Sequence, residues 1–317
     1  MAIRIIKNRS DIGAGTRGSD MGIDALEIAA INKNNDFFNR HTFEDVKTHN
    51  ETIYQKNTNS FAKRIEHVTQ QCNRVCASVE KSFKDNFFTI VLSGDHSSAL
   101  GTISGIKKAN PLTNIGVVWI DAHADLHSPY TSPSGNIHGM PLAAALHLDN
   151  ISCKINEVEP ETIEQWNALK DMGLLGPKIK PEHLILLGLR DFEPAEAQNI
   201  SEYKITNYKV EEIRFLGIQK CIQKCIEQLQ NCDCIYVSFD VDSLDCDQIS
   251  YGTGTPVKSG FLPDEIIVIV KNFLDTNKVV CLEIAEINPL LDNKGNKMAE
   301  TAFQILECIE QALIQKK

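Results

Sequence analysis

The sequence predicts an α/β fold of three layers, α/β/α, around a mostly parallel central sheet, and three observations carry that expectation. Five short apolar runs rich in β-branched residues recur without polar alternation, as in strands buried on both faces. Segments of helical periodicity separate them, as crossovers between parallel strands require. Each run also ends in a polar motif, which puts the chemistry at strand C-termini, where open parallel sheets bind ligands.

The elements follow in order. "IRIIK" (3–7) reads as the first strand, ahead of the five runs. A helix is expected within 59–83, where apolar residues fall at every third or fourth position. "FFTIVL" (87–92) is the first apolar run, and "SSALGTISGIKKA" (97–109) its helix. "IGVVWI" (115–120) and "HLILLG" (183–188) come next, then a helical stretch over 211–229 and the run "CIYVSF" (234–239). Helical patterns at 262–274 and 298–314 flank the last run, "VVCLEI" (279–284). Two stretches lack regular periodicity, 128–135 and 243–262; structureless segments of such length are uncommon unless functional. Neither repeats nor low-complexity tracts occur, and residues 1–317 are expected to form one catalytic domain.

Composition excludes several function classes. The chain has 317 residues, 42% of them hydrophobic, and a net charge of -10 at pH 7. That charge disfavours phosphate backbones and anionic lipid, so neither nucleic acid nor membrane is an expected partner. The N-terminus lacks the apolar core of a secretory signal, and no apolar run reaches the length of a membrane span. None of the ten cysteines forms a C-x-x-C pair, which fits reduced thiols in a cytoplasmic protein. "GAGTRG" (13–18) matches G-x-G-x-x-G, but it stands off from the first strand and no acidic residue closes a clean second one. A dinucleotide site is not expected there.

The polar motifs are "SGDHS" (93–97), "DAHADLH" (121–127), "LRDFEPAE" (189–196), "DVDSLD" (240–245) and "AEINP" (285–289). They would bring Asp121, Asp125, Asp240 and Asp242 together with His96 and His123. Four unpaired carboxylates repel one another, and divalent cations resolve the repulsion. Six ligands exceed the needs of one ion, because carboxylates can bridge two. An oxygen-rich set with two imidazoles and no thiolate suits Mn²⁺ better than structural Zn²⁺. Two such ions can lower the pKa of a water between them, so a hydrolase using a metal-bridging hydroxide is expected.

These motifs, in this order, resemble the arginase/agmatinase (ureohydrolase) family, together with "GTRGSDMG" (15–22), "SGNIHGMP" (134–141) and "GTGTP" (252–256). "SGNIHG" is more similar to the arginase branch. The resemblance implies an arginase-like fold with two Mn²⁺ per chain. One ion would take His96, Asp121, Asp125 and Asp240, and the other His123, Asp121, Asp240 and Asp242, with Asp121 and Asp240 bridging. It further implies catalytic roles for Asp125, His138 (proton shuttle) and Glu286 (guanidinium partner). His127, Ser134, Asn136, Glu193 and Thr255 would contact substrate. The implied reaction is hydrolysis of a guanidino compound, foremost L-arginine to L-ornithine and urea. Alternatives within the family are agmatinase, guanidinobutyrase and formimidoylglutamase chemistry, or a catalytically silent regulatory member. A homo-trimer or hexamer is also implied. The departures cluster at substrate recognition: His127 stands where arginases carry Asn and Glu193 where they carry Asp. Ser93 replaces a Gly, Cys246 replaces a Pro, and the loop to "GTGTP" is about one residue longer.

Overall fold

A computed structural model describes residues 2–56 and 59–315; the remainder of the expected 1–317 domain lies outside the described residues. Its centre is one eight-stranded sheet in the order β2-β1-β3-β8-β7-β4-β5-β6. The strands are β1 (Ile3–Asn8), β2 (Thr42–Asp45), β3 (Phe88–Ser93), β4 (Ile115–Ile120), β5 (Leu184–Leu187), β6 (Thr206–Tyr208), β7 (Cys234–Asp240) and β8 (Val279–Ala285). Every pairing is parallel, so the sheet goes beyond the mostly parallel one expected.

The six strands expected from apolar runs are all present, within a residue or so of the expected limits. β2 and β6 were not expected. Both lie at the sheet's edges, and "TFED" and "TNY" are short and partly exposed. Polar, short edge strands carry no apolar signal because one side meets water, and that same polarity discourages edge-to-edge association.

Side chains of a strand alternate between faces. In β4, Val118 and Ile120 join one apolar core and Val117 and Trp119 the other. The first core is covered by the helices Gly22–Asn32, Ile218–Gln228, Pro263–Asp275 and Lys297–Gln315. The second lies beneath Ile65–Lys84, Ala99–Ala109 and Pro160–Lys170. The result is the three-layer architecture. No helix among the described residues is long and apolar enough to cross a membrane. All ten cysteines are free thiols.

Sheet order positions the site. β3, β8, β7, β4 and β5, the five strands that end in polar motifs, are consecutive neighbours. Their C-terminal ends therefore share one edge. The segment 243–262 is pinned there despite having little regular structure: Leu244 bridges to Phe261, and Arg190 donates to the carbonyls of Asp242, Leu244, Val257 and Lys258. One guanidinium satisfies four carbonyls that the irregular backbone leaves over.

Candidate active site

A cavity of about 140 Å³ opens at that edge. Among its lining residues are His96, Asp121, His123, Asp125, Asp240 and Asp242, and also His127, Ser134, Asn136, His138, Glu193, Thr255 and Glu286. The structure thus brings together all the residues singled out in the sequence. It adds Glu196, Ser132, Pro133 and Gly139.

Local backbone geometry aims these groups. Gly94 carries the chain from β3 past the Ser10 carbonyl, where a Cβ would sit 2.3 Å from the oxygen. Asp95 then caps the turn by accepting from Ser97 N–H, which presents His96. His96 stacks on Trp119 with ring centroids 4.0 Å apart. Asp125 and Glu286 have left-handed backbones, φ 51 and 67, where a residue with a Cβ is strained. Such strain is held in place by the surrounding structure and concentrates at functional sites.

The inner cluster has the form of a ligand sphere. His96 Nδ1 lies 3.0 Å from Asp121 Oδ2, 3.2 Å from Asp125 Oδ2 and 3.1 Å from Asp240 Oδ2. His123 Nδ1 lies 2.9 Å from Asp242 Oδ2 and 3.4 Å from Asp121 Oδ1. Ligand atoms at about 2.1 Å from one cation at near-right angles stand roughly 3 Å apart, the spacing seen here. Within the two groups, His96–Asp121–Asp240 and Asp121–His123–Asp242, the ligand-type atoms are all within 4.8 Å of one another. Asp121 belongs to both, through different oxygens. Asp240 groups with His96, and its Oδ1 accepts from the Asp242 N–H.

Several features fit this set to divalent cations. His96 Nδ1 and Asp121 Oδ2 are buried and make no hydrogen bond of acceptable geometry. Each imidazole turns Nδ1 to the cluster and Nε2 outward: His96 to Ser238 Oγ at 2.7 Å, His123 to Asp191 Oδ2 at 3.6 Å. Metal-bound histidines are oriented in this way by a partner on the second nitrogen. The electrostatics agree. Burial pushes Asp125 up to about 6 and raises Asp240 and Asp242, each with help from neighbouring carboxylates. Burial opposes charge on His96 and His123, yet the surrounding aspartates hold both well above the usual imidazole range. Four carboxylates thus draw in positive charge, which protons or metal ions can supply.

The remaining groups surround this centre. Glu286 Oε1 accepts from His96 N–H at 2.9 Å and pairs with His138 Nδ1 at 3.0 Å. Burial works against the charged forms of both, but each stabilises the other: Glu286 falls below its usual range and His138 rises to about 9. Thr255 Oγ1 donates to Asp242 Oδ2 at 2.9 Å, so it holds a member of the inner cluster as well as lining the cavity. "GAGTRG" packs behind the site: Gly13 carbonyl accepts from His138 N–H, and Gly15 lies against Asn136. His127 Nε2 is bonded to Glu193 Oε2 at 2.9 Å, so two of the expected substrate contacts meet each other.

Glu196 closes the motif at 189–196 but was not singled out there. It caps the helix Pro194–Glu202 and is also buried against the cavity. Arg190 was missed because its work is done on backbone carbonyls, which carry no sequence signal.

A parallel three-layer fold with a buried centre of four carboxylates and two imidazoles defines a metal-dependent hydrolase of the binuclear amidinohydrolase class. The chain belongs to the arginase family, whose profile matches residues 2–310. It is 34% identical to an arginase of Bacillus subtilis (strain 168), over 97% of both chains. The structure of Bacillus caldovelox arginase superposes with a TM-score of 0.82 at 32% identity, covering 97% of each chain. Formimidoylglutamase from Bacillus subtilis, at 18% identity and a TM-score of 0.74 over 99% of this chain and 87% of that one, shares the fold.

Metal binding is expected to stabilise the protein, since the unfolded chain has no preformed site. Titrating Mn²⁺ into chelator-treated protein should raise the melting temperature by several degrees, about 2.7 kcal/mol per site at a hundredfold excess over Kd. An unchanged transition would argue against the centre.

Proposed function

We propose that this chain is a Mn²⁺-dependent hydrolase of guanidino compounds, with L-arginine as first substrate and L-ornithine and urea as products. The observation that carries the reading is the Glu286–His138 pair beside the four-carboxylate centre in one cavity. The arginases among its relatives support the same substrate. We also propose that residues 1–317 act as one catalytic domain, in a homo-oligomer located in the cytoplasm; ten free thiols support a reducing compartment.

Two Mn²⁺ held by His96, Asp121, Asp125 and Asp240 and by His123, Asp121, Asp240 and Asp242 would supply Lewis-acid activation of water. The chain's own residues do the rest. Glu286 stays anionic and can bind the guanidinium by charge-assisted hydrogen bonds. One of its oxygens is fixed by His96 N–H and His138, which aims the carboxylate. Asp125 can take a proton from water and pass it to the departing amine as the C–N bond breaks. His138 is bonded through Nδ1, which leaves Nε2 to exchange protons with solvent. Thr255 braces Asp242. Ser134, Asn136, His127 and Glu193 would form the end that meets the substrate's tail.

Urea release from a panel of guanidino compounds, with and without Mn²⁺, tests the reading. His138→Asn should lower turnover by about a hundred- to a thousandfold, the lower range for a lost proton-transfer group. Its metal content should match the wild type, because His138 completes neither ligand set. Loss of metal in this variant would make His138 a ligand.

A further inference from the structure

The second apolar core holds four buried polar side chains that the cavity does not use. Ser93, Tyr236, Ser238 and Glu283 stand on the central strands β3, β7 and β8, and none of them lines the cavity. Tyr236, Ser238 and Glu283 are wholly excluded from solvent. A carboxylate buried in such a place is costly unless its oxygens are hydrogen-bonded, so its partners carry information. Strand register brings the four to one face. Glu283 pairs with Ser238 on one side and with Val91 on the other; Ser93 follows Val91 by two residues, and Tyr236 precedes Ser238 by two.

The hydrogen bonds run in one direction. Ser93, which replaces a Gly, donates to Glu283 Oε1 at 2.7 Å, and the Tyr236 hydroxyl donates to Oε2 at 2.7 Å. An ionised carboxylate only accepts, so it draws both protons toward itself. With its single proton committed, the Tyr236 oxygen can only accept in turn. Ser238 is the hydroxyl that donates to it, acting against the rise in the phenol's pKa from burial. The Ser238 oxygen then has only lone pairs left for His96 Nε2, 2.7 Å away, and the imidazole must be the donor. A proton on Nε2 leaves Nδ1 bare. That nitrogen is buried, has no hydrogen bond of acceptable geometry, and faces Asp121, Asp125 and Asp240. A metal-ligating imidazole needs this tautomer, and the bond made by its second nitrogen selects it. The stack on Trp119 fixes the plane of the ring; the chain of hydroxyls fixes its rotation within that plane.

We propose that Tyr236 and Glu283 are positioning residues for His96: acting through Ser238, they hold the imidazole in the form that offers Nδ1 to the cation. This rests on the reading of the centre as a metal site and extends it three side chains into the core.

The test is Mn²⁺ affinity, read from the electron paramagnetic resonance of the free ion during titration of chelator-treated protein, with His96→Ala marking which binding step belongs to the His96 ion. Tyr236→Phe removes one oxygen and breaks the chain. It should weaken the His96 ion by about ten- to a hundredfold, the usual cost of losing a partner behind a ligating histidine, and the His123 ion far less. Glu283→Leu removes the acceptor that directs the chain and should give a similar loss; melting of the metal-free variants reports any packing defect separately. Ser238→Ala should reproduce the effect. The double variant Tyr236→Phe/Ser238→Ala should be no worse than Ser238→Ala alone to within about twofold, because groups acting in series do not add. Wild-type affinities in Tyr236→Phe, equal weakening of both ions, or losses that multiply in the double variant would overturn the proposal while leaving the metal centre standing. A wild-type protein that binds no Mn²⁺ would overturn the metal centre and the proposal with it.

Discussion

Asp121→Ala and Asp240→Ala should each reduce the proposed urea release by about a thousandfold or more, because several kcal/mol of metal-supplied stabilisation would be lost. Asp121 follows β4 and Asp240 ends the neighbouring β7, where Ile120 pairs with Phe239. Asp121 reaches both histidines, with Oδ2 toward His96 and Oδ1 toward His123. Its removal should cost both ions, and metal analysis should read well below two per chain. Asp240 approaches His96 with one oxygen and holds the Asp242 backbone with the other. Its loss should remove one ion and loosen the second. Asp→Asn at each position keeps the shape and should show the same loss. In the metal-free protein Asp121→Ala should melt lower than the wild type, because His96 and His123 stabilise the Asp121 anion, whereas in Asp240→Ala relief of repulsion among the buried carboxylates offsets the lost bond to Asp242 N–H. Full metal content and activity in both variants would refute the shared-ligand arrangement.

The parts of this protein that were legible in the sequence are those where burial is uniform. Runs such as "IGVVWI" are buried on both faces and read as strands from composition alone. The motifs after them could be assigned to one edge because parallel strands all end on the same side. β2 and β6 were illegible because an edge strand is half solvated, so "TFED" and "TNY" look like loop. Within the site, residue types were readable but pairings were not. His127 and Glu193 lie 66 positions apart, and only the fold shows that they satisfy each other. The burial of Glu196 beside His127 depends on how its helix packs. Sequence position tells which edge a side chain reaches, whereas the partner it chooses there depends on its rotamer and on the neighbouring strand.

Glu286→Gln is expected to lower kcat/KM for the guanidino substrate by roughly a hundred- to a thousandfold, the equivalent of about 3–4 kcal/mol in lost charge-assisted hydrogen bonding. Gln keeps the shape of Glu286, so the left-handed turn after β8 need not change. What changes is charge. Glu286 is buried, and its anionic form is stabilised by His138 and by the His96 N–H. A neutral amide would still accept from His96 N–H through its oxygen, so metal content should stay near that of the wild type. It would no longer match the charge of a guanidinium, and its NH₂ group would face that cation with donors against donors. The variant also removes the negative charge that holds the His138 pKa up near 9, so the His138 titration should move down. Following the His138 imidazole resonances against pH in the metal-free protein separates this from a folding defect. Unchanged kcat/KM with intact metal would move guanidinium recognition away from Glu286. The buried carboxylate of β8 just before it, Glu283, is already occupied by Ser93 Oγ and Tyr236 O–H, each donating at 2.7 Å. That occupancy favours Glu286 over Glu283 for the proposed guanidinium contact.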